Sequence, residues 1–115
     1  MNTQKLFDST VAVSSAVGST FVPPMVKGNR GVVDFKLKAT TGGSGTSRVT
    51  IRLQGRLSEN QDWVDVMLDD TSWYCELGTS LPGLTFQDIQ LFPEMRANIS
   101  AQNFTSATIL VLLGH

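Results

Sequence analysis

Residues 48–68 read RVTIRLQGRLSENQDWVDVML, two runs of alternating apolar and polar residues around a short polar connection, the pattern of an antiparallel hairpin. Val49, Ile51 and Leu53 fall on one face of the first run, with Thr50, Arg52 and Gln54 on the other. Val64, Val66 and Leu68 repeat the alternation in the second run. Successive side chains of a strand point to opposite sides, so the stretch predicts a sheet with one side on a core and the other in solvent. It carries no catalytic signature.

The flanking segments extend this reading. Val33, Phe35 and Leu37 alternate with Asp34, Lys36 and Lys38, which predicts an amphipathic strand. The loop TTGGSGTS at residues 40–47 follows. It lacks the Gly-Lys-Ser/Thr ending of a phosphate-binding loop and leads into a strand instead of a helix, which argues against a nucleotide site. Residues 7–17 alternate loosely before Gly18 and the pair Pro23-Pro24. Proline cannot donate to a ladder, so residues 1–29 read as a strand followed by an edge segment or wrapping arm.

Downstream, residues 73–77 form a short strand closed by Gly78, Leu81-Pro82-Gly83 is a turn, and residues 86–92 are apolar without a decisive period. After Pro93, Met95, Ala97, Ile99 and Ala101 alternate with Arg96, Asn98, Ser100 and Gln102. No segment has a sustained helical period. Seven to eight strands separated by Gly/Pro turns predict an all-β antiparallel sandwich, jelly-roll or immunoglobulin-like. A chain of 115 residues suffices for one such core, so residues 1–115 are expected to be a single domain.

The last run, residues 107–113, differs from the others. Its second face, Thr108, Leu110 and Leu112, is nearly as apolar as its first, Ala107, Ile109, Val111 and Leu113. A strand in a two-layer sandwich turns one face to solvent, so Thr108, Leu110 and Leu112 are expected to be covered. Either the N-terminal segment folds over them or, as we prefer, another copy does so in a homo-oligomer, a trimer. Arg96 and Asn98 on the preceding strand would then lie at the rim of that contact.

Composition narrows the function classes. The only histidine is His115, the last residue of the chain, which argues against a serine or cysteine triad. Asp69 and Asp70 could join Asp65 or Asp62 around calcium, and Glu59, Asp62 and Asp65 could serve as a glycosidase acid and base; nothing in the spacing selects either over solvated loop carboxylates. The single cysteine, Cys75, allows no intrachain disulfide or cysteine metal cluster and reads as a small buried hydrophobe. No enzyme and no cofactor are expected. The longest apolar run, residues 109–113, is too short to span a bilayer, and the N-terminus lacks a basic segment followed by an apolar one, so a cytoplasmic origin is expected. The Asn-x-Ser/Thr patterns at Asn98 and Asn103 then carry no weight.

Charge is segregated along the chain. Lys27, Arg30, Lys36, Lys38, Arg48, Arg52 and Arg56 share their stretch with one acid, Asp34, whereas residues 57–94 hold eight acids and no base. If the strands on either side of TTGGSGTS pair as a hairpin, Lys36, Lys38 and Arg52 form a basic stripe on its polar face, which would contact an acidic surface of a capsid or neighbouring subunit. Nucleic acid is disfavoured because exposed aromatics are not interleaved with that stripe and the net charge is −1.

LQGRLSENQDWVDV at residues 53–66, followed by LFPEMRANISAQNFTSATILVLLG at residues 91–114, resembles the small β-sandwich virion proteins of tailed bacteriophages. In these a polar strand, a loop ending near Trp and a late Phe-Pro-x-Met/Leu-Arg strand recur. The resemblance covers residues 30–114 and carries over no catalytic residue. It implies a structural role in the virus particle: a capsid decoration or cement protein, bound as an oligomer to the major capsid protein, located in the virion, without membrane or nucleic-acid partners. A neck, tail or baseplate component is the alternative within that group. A carbohydrate-binding sandwich using Trp63, Trp73 and Tyr74 is the alternative outside it, and it requires those aromatics to share one exposed platform.

Overall fold

The computed structural model describes residues 2–12, 16–23 and 30–115, the side chains of residues 100–102 excepted. Among the described residues nine strands follow one another: β1 (Thr3–Ala12), β2 (Ala16–Val17), β3 (Arg30–Thr41), β4 (Val49–Arg56), β5 (Val64–Asp65), β6 (Cys75–Leu77), β7 (Gly83–Gln90), β8 (Glu94–Gln102) and β9 (Ser106–Gly114). All pairings are antiparallel, and no helix occurs among the described residues. The strands form two sheets, one ordered β1-β9-β3-β7 and the other β2-β8-β4-β5, with β6 also paired to β4.

The alternating runs bury one face each. Val33, Phe35 and Leu37 of β3 and Ala107, Ile109, Val111 and Leu113 of β9 turn inward from the first sheet. Val49, Ile51 and Leu53 of β4 and Met95, Ala97 and Ile99 of β8 meet them from the second, all but Leu37 fully shut off from solvent. Two sheets with one apolar face each can hide those faces only against one another, which is why these strands make layers.

The count is nine instead of seven to eight because the loosely alternating N-terminal run is divided between the sheets. β1 pairs with β9 and β2 with β8. Gly18 then donates to the Ala97 carbonyl at 2.8 Å, and Phe21 and Met95 exchange backbone hydrogen bonds of 2.8 Å. The crossing needs glycine at position 18, because a Cβ there would collide with the Leu6 carbonyl oxygen. β1 therefore lies beside β9 as an edge strand and not over its outer face. Pro24 and Lys27, part of the arm and of the basic stretch in the sequence reading, fall outside the described residues.

Residues 86–92, ambiguous by pattern, supply part of β7. Gly31 opposes Ile89 and Val33 opposes Phe86, so Gln87 and Asp88 together face Val32 in a bulge. Asp88 takes the left-handed conformation there, at φ 58°, which Asp tolerates better than bulkier residues. Arg30 Nη1 donates to the Asp88 carbonyl at 3.3 Å.

Cys75 pairs opposite Ile51 and is 1% exposed. Burial, with a smaller contribution from the Glu76 charge, pushes its thiol pKa up to about 12 from 9.0. The native protein at pH 8 is accordingly expected to resist alkylation for hours and to react within minutes in denaturant. Fast labelling of the native chain would overturn this burial. The raised value has a stability consequence: the contribution is complete below pH 9 and is lost as pH rises towards 12.

Candidate functional site

The outer face of the first sheet carries the apolar pair read from the last run. β9 is an internal strand, with Leu110 between Asp8 of β1 and Lys36 of β3, and Leu112 between Lys5 and Asp34. Thr108, Leu110 and Leu112 are half-buried. Their partial cover comes from their own sheet: Lys38 Nζ reaches across β9 to Asp8 Oδ1 at 3.5 Å, Lys5 Nζ donates to Asp8 Oδ2 at 3.3 Å, and the Thr10 and Thr108 hydroxyls meet at 2.8 Å. The Lys5 hydrogen bond, followed by the Lys38 charge, holds the Asp8 carboxyl below its usual range. Asp34 accepts from the Thr85 hydroxyl at 2.8 Å. Lys36 is exposed and makes no ion pair among the described residues. The result is an apolar stripe bordered by lysines.

Arg52 does not join that stripe. β3 and β4 do not pair across TTGGSGTS; the loop carries the chain from one sheet to the other, which puts Lys36 and Lys38 on one outside of the sandwich and Arg52 on the opposite one. The physical reason is that each strand brings an apolar face. Such faces are satisfied equally by lying side by side or by stacking across a core, and the loop spans either. Arg96 and Asn98 are displaced likewise: β8 belongs to the second sheet, so neither rims the Leu110 and Leu112 face.

On the outside of the second sheet these residues build a cluster of their own. Arg52 pairs opposite Asn98, Gln54 opposite Arg96, and Arg56 opposite Glu94. Arg96 Nε donates to Gln54 Oε1 at 2.9 Å, and Gln54 Nε2 donates to Asp65 Oδ1 at 3.1 Å. Arg56 donates twice to Glu94 Oε1, from Nε at 3.1 Å and from Nη2 at 2.9 Å. The guanidiniums of Arg56 and Arg96 each lie 4.3 Å from the Trp63 ring centroid, and that of Arg52 lies 5.1 Å from Tyr74. Arg52 Nη1 is enclosed and finds no hydrogen-bond partner among the described residues; the attraction of the Tyr74 ring for a cation offsets part of that cost. Partial desolvation, then the nearby Arg56 charge, lowers the Arg96 pKa. Nearly every polar group here is engaged by another, so the arrangement locks the hairpin of residues 48–68 onto β8.

A third feature sits at the open edge between the sheets. Residues 65–70 and Trp73 face β7 across a cleft of about 650 Å³, which Arg30, Phe86, Asp88 and Phe92 also line. Asp65, Asp69, Asp70 and Asp88 thereby line one cleft without clustering, whereas Glu59 and Asp62 stay in the exposed turn after β4. Asp69 accepts from the Thr71 amide at 2.9 Å, and that bond keeps its carboxyl below the usual range. Among the described residues no group of three or more His, Cys, Asp or Glu side chains is gathered to hold a metal. Sequence reading missed Arg30, Phe86 and Asp88 here, although the run of acids after residue 57 was its visible signal. Trp73, 49% exposed, looks into this cleft, Tyr74 lines an adjoining cleft with Leu84 and Phe86 and has Arg52 against its ring, and the half-buried Trp63 lies on the outside of the second sheet between two arginines. They share no single platform.

No family model, curated protein or solved structure matches this chain.

Proposed function

We propose that this chain is a structural protein of a tailed-bacteriophage virion, a jelly-roll sandwich that binds the outside of the capsid as a homo-oligomer, a trimer, in contact with the major capsid protein. The observation that carries this reading is the apolar pair Leu110 and Leu112 at the centre of an outward sheet face, on a strand flanked on both sides. A sheet face of this kind is a surface for protein contact. Lys36, without an ion-pair partner among the described residues, is available on the same face to an acidic neighbour.

The strand order supports the jelly-roll form. With β5 and β6 counted as one interrupted strand, the orders β1-β9-β3-β7 and β2-β8-β4-β5 are those of two interleaved Greek keys, an architecture used in viral capsid and lectin domains. Fold alone assigns no activity, so the weight rests on the surface and on the resemblance of residues 53–66 and 91–114. The carbohydrate reading is disfavoured, because Trp63 and Trp73 are separated and the Trp63 ring is occupied by two guanidiniums.

Light scattering on the purified chain at micromolar concentration is expected to give a mass near three times 12.5 kDa. A monomer at that concentration overturns the oligomer. Genes for capsid, portal and terminase proteins are expected beside its own, and a neighbourhood without any phage gene would overturn the virion assignment.

A further inference from the structure

We propose that the cleft beside β7 receives an extended, lysine- or arginine-bearing segment of another protein, which adds to the first sheet as a strand on the free edge of β7. This goes beyond the oligomer proposed above and uses a different part of the molecule.

Among the described residues β7 ends its sheet, with β3 as its one strand partner, so every other backbone group along its far side is left unpaired by the ladder. The second sheet does not close over this edge. Its strand is interrupted between β5 and β6, and Leu84 and Phe86, which oppose the core residues Phe35 and Val33, consequently stay half-buried. Trp73 and Met67 stand exposed at 49% and 44% beside them. The cleft thus combines an unpaired strand edge, an apolar wall of Phe86, Phe92, Met67 and Trp73, and a rim of carboxylates.

The rim selects the occupant. Asp65 is compensated by Arg52 at 3.6 Å and Asp88 by Arg30 at 3.8 Å, whereas Asp69 and Asp70 have no cation within ion-pair distance among the described residues. Strand addition uses main-chain hydrogen bonds for affinity and alternate side chains for specificity. A segment of mixed apolar and basic residues would meet Trp73 and Phe86 with the former and Asp69 and Asp70 with the latter. An acidic segment would meet uncompensated carboxylates of like sign.

Fluorescence anisotropy with three labelled decapeptides tests this: one alternating lysine with valine and threonine, the same with glutamate for lysine, and the lysine peptide N-methylated on alternate backbone nitrogens. The full-length protein is expected to bind the first and neither of the others. Asp69→Asn with Asp70→Asn should weaken binding at least tenfold while keeping the Asp69 turn, since an asparagine oxygen still accepts from Thr71. Trp73→Ala should weaken it similarly, and amide exchange should slow along Gly83–Gln90 when peptide is bound. Absence of binding, equal binding of the N-methylated peptide, or binding insensitive to both variants would overturn the proposal. So would self-association abolished by Asp70→Asn, which would make a second copy the occupant.

Discussion

Phe35→Ala is expected to lower the stability of the fold by about 3–5 kcal/mol, the range for emptying the site of a large buried aromatic. The residue is fully shut off from solvent on β3, and its ring meets Phe86 edge-on at 6.0 Å between centroids. The neighbouring residues are poorly placed to collapse into the space, because Val33 is held by ladders on both sides of β3, and Val111 and Ile109 by ladders on both sides of β9. A domain of this size has about 5–15 kcal/mol of stability in total, so the variant sits close to unfolding at ordinary temperature. Thermal denaturation should show the midpoint falling by more than about 10 °C. A shift under about 3 °C would mean that the two sheets do not pack on Phe35 as described.

Replacing Leu110 and Leu112 together by Lys is expected to abolish self-association while leaving the monomer folded. Both side chains lie on the outside of the sheet and are only half-buried, so a lysine can run its stem along the neighbours and keep its ammonium in water. Covering the remaining apolar surface of two leucines on assembly stabilises by about 1.5–3 kcal/mol per copy, a change of about ten- to a hundredfold in each contact. Light scattering should report a mass of 12.5 kDa with an unchanged β-sheet circular dichroism spectrum. Lys36→Glu provides the milder comparison, weakening association most at low salt. An unaltered oligomer in the leucine variant would move the contact to another face.

How much of this was legible in the sequence depends on the question asked. The period-2 alternation at Val33 to Leu37, Val49 to Leu53, Met95 to Ile99 and Ala107 to Leu113 names core residues, and those residues are buried in the core. Alternation is a local property, set by which side of a pleat each Cβ leaves, so it survives any arrangement of the strands. The two-sided apolar character of residues 107–113 was legible for the same reason, and it belongs to a strand that lies between two others, as β3, β4 and β8 also do.

The partner of each strand was not legible. Residues 33–38 and 49–54 have the same pattern whether they pair across TTGGSGTS or face each other through a core, so the basic stripe of Lys36, Lys38 and Arg52 was assembled from a neighbour relation that does not exist. Arg96 and Asn98 were assigned to the wrong side by the same step. Nor does any local feature announce that β1 pairs with β9, nearly the length of the chain away, or that Asp88 comes to lie beside Asp69 and Asp70. The sequence by itself determined which face of β3, β4, β8 and β9 is apolar and that the chain makes sheets, although Val64, read with Val66 and Leu68, is exposed. Only the tertiary structure decided which strands are neighbours, because that choice is made by closing all the apolar faces around one core at once, a condition no single segment contains.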